Sequence, residues 1–115
     1  MGVAIIDSGI AAHRALSGKI VATVDFTRDG RGRGRDGYGH GTHIAGIVAG
    51  DAISAKKGEG AAGMAPGAHL INLRVLGNDG SGQVADVIEA LDWAIENRGQ
   101  FNIRVINMSL GTAVT

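Results

Sequence analysis

Cysteine is absent from all 115 residues. That excludes disulfides, a thiol nucleophile and zinc–thiolate sites. Aromatic residues amount to 3%, so any core must be assembled from Val, Ile, Leu, Ala and Met. There is no excess charge of either sign. Lys+Arg and Asp+Glu are both 11, for a net charge of +0, and nothing in that balance points to a nucleic-acid or anionic-membrane partner. No apolar run approaches the ~20 residues of a membrane span. Met1–Ile10 does not read as a targeting segment: it has no basic stretch, and Asp7 interrupts its apolar run. Ile6 stands where a myristoylation motif needs Ser or Thr.

Hydrophobic residues make up 44%, charged residues 19%, and the mean hydropathy is +0.12. A disordered chain would be poorer in apolar residues and richer in charge. The length fits one domain, which can bury roughly two-thirds of its unfolded surface. The 20 glycines are dispersed without a three-residue period. They point to tight turns and close backbone approaches.

Val3–Ile6 is a short apolar run ending at Asp7-Ser8-Gly9, which reads as a buried parallel strand entering a polar loop. Ile20–Phe26 reads as a second strand, His69–Leu76 as a third and Ile103–Met108 as a fourth. Between them, residues 30–39 and Asn78–Gly82 read as Gly-rich loops, Asp51–Gly63 as a polar connection, and Pro66-Gly67 as a turn. His40–Ala49 reads as a helix with Ile44, Ile47 and Val48 on one face. Its Gly41 and Gly46 are costly in an isolated helix and call for close packing. A second helix carries an apolar stripe of Val84, Val87, Ile88, Leu91 and Ile95, with Asp86, Glu89 and Glu96 off it. Ser81 is the expected N-cap of that helix. Strands alternating with helices predict an α/β fold, a parallel sheet with crossover helices.

In such sheets function gathers at the carboxyl ends of the strands. Asp7 and Ser109 end strands, and His40 opens a helix. Taken singly each has an ordinary structural explanation: a turn-forming Asp, a surface His, a loop Ser. Asn107–Gly111 is not the G-x-S-x-G elbow of a nucleophilic serine. His40 and His43 are spaced so that they can share a helix face, but zinc usually needs further ligands. Asp7, Asp36 or His69 would have to supply them. The Arg31-Gly32-Arg33-Gly34-Arg35 run has only Tyr38 nearby for base stacking, and reads as a solvated loop.

Together these segments resemble the subtilisin-like serine proteases (subtilases, peptidase S8 type). VAIIDSGI at 3–10 is similar to the family's aspartate motif, and GHGTHIAGIVAG at 39–50 to its histidine motif. GMAPGAHLINLRVLGNDGSGQ at 63–83 and VINMSLG at 105–111 match the segments that follow, in the same order. The resemblance implies a partial subtilisin-like (Rossmann-like) sheet and a serine endopeptidase working through an Asp-His-Ser triad. Asp7 would be the triad aspartate and His40 the triad histidine. His43 and Trp93 would be structural, and Asp36 would border the cleft. Gly80-Ser81-Gly82 and Ser109-Leu110-Gly111 would hold an extended peptide from two sides. Leu76, Val84, Val87 and Leu110 would line the pocket for the side chain four residues upstream of the cut.

The family's G-T-S-x-A/M-type serine motif, and the oxyanion-hole Asn before it, do not occur in these residues. Residues 1–115 are therefore expected to be a fragment of a catalytic domain, inactive alone. No cofactor is expected. Calcium is bound by some members, but 51–63 lacks their Asn-rich pattern. Secretion is what the resemblance implies for localisation. An unpaired sheet edge would favour a dimer or swapped assembly. Two other readings compete: a truncated module that only binds a peptide or itself, and a metal-dependent hydrolase using His40 and His43.

Overall fold

The apolar run ahead of Asp7 becomes β1 (Gly2–Asp7), and every one of its residues is buried. A strand of that kind needs cover on both faces and a neighbour on each edge. It has both. In the computed structural model, which describes residues 1–27, 34–51 and 62–110, β1 pairs in parallel with β3 (His69–Arg74) and with β4 (Ile103–Asn107). β2 (Ile20–Asp25) adds in parallel beyond β3. The order is β2-β3-β1-β4. Within the expected loops, residues 30–33 and 52–61 lie outside the described residues, as does Gly111.

Side chains of a strand alternate between faces, and β1 divides the core accordingly. Val3 and Ile5, with Leu70, meet Ala45 and Ala49 of α1 (His40–Ala49). Ala4 and Ile6, with Ile71 and Leu73, meet Val87, Ala90 and Ala94 of α2 (Val84–Glu96). One helix thus covers each face, and the protein is the α/β parallel sheet that the sequence predicts.

Strand ends differ from expectation by one or two residues, within the usual scatter of such boundaries. At β3 the difference has a cause. The amides of Val75 and Leu76 both donate to the Asp7 carbonyl, at 2.8 and 3.2 Å. The chain turns over the end of β1 instead of extending β3.

The helix faces need larger corrections. In α1, Ile44 and Val48 pack on the core as expected, but Ile47 is 49% exposed. Gly41 does need close packing: a Cβ there would lie 2.1 Å from the Gly9 carbonyl oxygen. Gly46 does not, because a Cβ there would meet nothing within 4 Å. In α2 the buried residues are Asp86, Val87, Ala90 and Ala94. Val84, Ile88 and Ile95 are 49%, 53% and 53% exposed. The expected stripe was centred on the bulkiest side chains, whereas alanines let the helix lie close against the sheet. Trp93 and Phe101 stack at 5.8 Å beside the same core. Ser81 does not cap α2. Gln83 occupies the N-cap, and the Ser81 hydroxyl donates to Asp79 instead.

Candidate active site

Parallel strands bring their carboxyl ends to one rim, and the buried end of β1 delivers Asp7 there. Its side chain is 1% exposed. One carboxylate oxygen accepts the Ser8 amide at 2.7 Å. His40, the first residue of α1, turns its imidazole onto the same group. Nδ1 lies 2.8 Å from Oδ1 and 2.9 Å from Oδ2 of Asp7. A carboxylate only accepts hydrogen bonds, so Nδ1 carries a proton, and in the neutral ring the lone pair falls to Nε2. The His40 side chain is 39% exposed. A histidine held this way can act as a base, with one nitrogen oriented by the carboxylate and the side chain partly open to solvent.

A second carboxylate fastens the helix start to the strand end. The N-cap of α1, Gly39, has a left-handed φ of 102° and no side chain to cap with. Asp36 substitutes for it. Its Oδ1 accepts the Gly39 amide at 2.7 Å and the Ser8 hydroxyl at 2.8 Å. Its Oδ2 accepts the amide of Thr42 at 2.8 Å and also the Thr42 hydroxyl. The Ser8 oxygen in turn accepts the Gly41 amide at 2.9 Å. Burial alone would raise the Asp36 carboxyl, but the Thr42, Gly39 and Ser8 donors outweigh it and hold the group below its ordinary 3.8. The Asp36 carboxylate is thus turned inward, to Ser8 and the helix start.

Beneath the rim lies a buried cation. Arg74, the last residue of β3, is 2% exposed. Its guanidinium donates to the Ser8 carbonyl at 3.1 Å, Asp25 at 3.0 Å, Thr27 at 2.8 Å and Asn78 at 3.0 Å. The Asp25 side chain is 0% exposed. Its desolvation is outweighed by donors from Thr27, Arg74 and Gly34, so its carboxyl also lies below 3.8.

The two expected peptide-binding edges follow β3 and β4 on this rim. Leu76 and Gly82 form an antiparallel bridge, and the Gly77 amide donates to the Ser81 carbonyl at 2.8 Å. Gly80 sits in the turn at φ 80° with the Tyr38 ring against it, where a Cβ would come within 2.4 Å of the ring. On the other edge, the Ser109 hydroxyl donates to Asn107 at 2.7 Å. Leu76, Val87 and Leu110 meet in one apolar cluster; Val84 is half-exposed, outside it. Gly111 lies outside the described residues.

His43 is exposed on α1. Among the described residues no three His, Asp or Glu side chains converge as a metal ion requires. The residues that sequence reasoning missed here are Thr42, Arg74, Asp25, Asn78 and, as a partner of Gly80, Tyr38.

Comparison with known proteins decides the family. The profile of the Subtilase family, peptidase S8, matches residues 1–115. The chain belongs to the subtilase family. This subtilase is 39% identical over 110 residues to the thermostable alkaline protease of Halalkalibacterium halodurans. It is 40% identical over 112 residues to the serine protease AprX of Bacillus subtilis, and 41% identical over 110 residues to subtilisin DY of Bacillus licheniformis. The matches cover 96%, 95% and 95% of this chain, but 27%, 25% and 36% of those proteins. The subtilase chain thus spans about a third or less of their length. A crystal structure of a cold-adapted subtilisin-like serine proteinase superposes with a TM-score of 0.69 at 32% identity. It covers 84% of this chain, and the match takes in 32% of that one. Among the described residues no helix is long and apolar enough to cross a membrane.

Proposed function

We propose that these residues supply the Asp–His part of a serine endopeptidase site. The observation that carries this reading is His40 Nδ1 lying within 2.9 Å of both Asp7 oxygens, on a side chain that is 39% exposed. Asp7 fixes the tautomer and stabilises the imidazolium. His40 accepts the proton of a serine hydroxyl and later returns it to the leaving amine. The substrate is an extended peptide that pairs as an added strand between Gly80-Ser81-Gly82 and Ser109-Leu110-Gly111. Leu76, Val87 and Leu110, with Val84 at the margin, take the side chain four residues upstream of the cut. No cofactor enters this chemistry, and the parent enzyme is secreted.

The serine motif is not among these residues, so the 115-residue chain alone does not turn over peptides. Triad members act as a unit. In subtilisin, losing the serine alone lowers kcat on the order of a millionfold. The test is incubation of the purified chain with a chromogenic peptide ester and a serine-directed phosphonate. Neither turnover nor labelling is expected. Turnover that survives purification, with covalent label on Ser8 or Ser109, would sink the reading.

A second reading, self-association, is favoured by β4. Among the described residues β4 pairs with β1 alone, and Val105, Ile106 and Met108 are 46%, 38% and 46% exposed. An open strand carrying apolar side chains pairs readily with another chain. The 115-residue chain is expected to sediment as a dimer or swapped assembly. A compact monomer across micromolar concentrations would rule that out.

A further inference from the structure

Resting on the triad reading above, we propose that Asp36 is a positioning residue for His40. No contact between Asp36 and the imidazole is needed for this role. It acts through the two arms that meet at the site. The strand arm is Ser8, bonded to Asp7 in the chain and placed on one side by the Arg74 guanidinium at its carbonyl. The helix arm is the first turn of α1, which carries His40.

Asp36 grips both arms with one carboxylate. Oδ1 takes the Ser8 hydroxyl and the Gly39 amide. Oδ2 takes the Thr42 amide and hydroxyl. The ring is closed by Gly41 donating to the Ser8 oxygen, and by Ala11 donating to the Thr42 hydroxyl oxygen at 2.8 Å. A plain helix cap would need only the Gly39 and Thr42 amides. The Ser8 link adds what a cap does not supply: it ties the helix start to the residue next to Asp7. The first turn of α1 has no acidic residue of its own and its N-cap residue makes no side-chain cap, so among these groups Asp36 is the carboxylate that joins the helix amides to Ser8.

Ionisation matters as well as shape. Both oxygens accept, and each faces a backbone N–H that cannot rotate away. An asparagine at 36 would present an NH2 to one of those amides, whichever way it turned. The arms would then part, and a shift of about 1 Å is enough to spoil a reacting geometry.

The test reads the imidazole itself, not proteolysis, so it does not depend on a serine being present. In the 115-residue chain, NMR of ring-labelled histidine should show a far-downfield, slowly exchanging Nδ1 proton on His40 and a single tautomer. Asp7→Asn, which assigns the signal, should abolish it. Asp36→Asn is expected to melt cooperatively yet lose the Nδ1 proton and give mixed tautomers. A folded Asp36→Asn chain with the proton and tautomer unchanged overturns the proposal. If Asp36→Asn does not melt cooperatively, Ser8→Ala decides, because it keeps the Asp36 bonds to Gly39 and Thr42 and removes the hydroxyl through which Asp36 and the Gly41 amide both reach the strand arm. Loss of the signal in folded Ser8→Ala supports positioning; retention overturns it, as does failure of that variant to fold. A parent chain without the signal would overturn the Asp7–His40 pair first, and this inference with it.

Discussion

Arg74→Met should destabilise the protein from beneath its rim. The substitution keeps an unbranched chain of similar length in the core and removes only the charge and its donors. Asp25 then loses its cation while its side chain is 0% exposed. Breaking a buried pair from one side typically costs 3–5 kcal/mol. Here Asp25 retains the amide and hydroxyl of Thr27 and the amide of Gly34, which favours the lower end. On the other side, the Ser8 carbonyl and the Asn78 side chain each lose a donor. A loss of about 3 kcal/mol is expected, against a total of about 5–15 kcal/mol for a domain. Urea titration at neutral pH reads it directly. The midpoint should fall by roughly 1–3 M with the slope unchanged. Adding Asp25→Asn to Arg74→Met removes the stranded charge and should recover part of the loss. A single variant less than about 1 kcal/mol below the parent would show that the guanidinium contributes little to holding this corner. A double variant weaker than the two singles added together would refute the charge argument.

The two α1 glycines should respond with opposite signs. Gly41→Ala forces a methyl to 2.1 Å from the Gly9 carbonyl oxygen and should cost about 1–3 kcal/mol, whereas Gly46→Ala meets open space and should gain up to about 1 kcal/mol of helix propensity. Thermal melts of both variants check this, and equal signs would contradict the packing described. Acid should weaken the fold through Asp25 and Asp36. Both carboxyls lie below 3.8 in the folded protein, so their stabilisation is complete well above that value. It is lost as the pH falls through the lower folded-state values, because the unfolded chain binds the protons first. The melting temperature should be flat above about pH 5 and then drop, less steeply in Asp36→Asn; a flat profile down to pH 2 would contradict it.

The elements were legible because their signals are local. A run of β-branched residues fixes β1, and the alternation of strand and helix patterns fixes the parallel sheet. The motif at 39–50 places α1 residue for residue. Burial on α2 was misread for a physical reason: apolar periodicity favours Val84, Ile88 and Ile95, while close contact with a sheet favours Ala90 and Ala94. Asp7 and His40 could be singled out as the ends of a strand and a helix, and their motifs paired them. The supporting groups could not. Ser8 meets Asp36 across 28 positions, and Arg74 meets Ser8 across 66. Such contacts have no period in the sequence. They exist only once β1, β3 and α1 share a rim, where a lone Arg in a strand or an Asp in a Gly-rich loop acquires its partners.

The place of β1 in the middle of the sheet sets how the site comes apart in time. Its amides and carbonyls are engaged by β3 on one edge and β4 on the other, so its amide protons should exchange with solvent only in openings close to global unfolding. The first turn of α1 has no strand pairing; its Gly41 and Thr42 amides rest on the side chains of Ser8 and Asp36 and should open in smaller, more frequent fluctuations. Asp7 is therefore the fixed point and His40 the part that breathes. Deuterium should enter the His40–His43 amides long before those of Val3–Ile6, and the interval between them measures how often the base swings away from an acceptor that stays put.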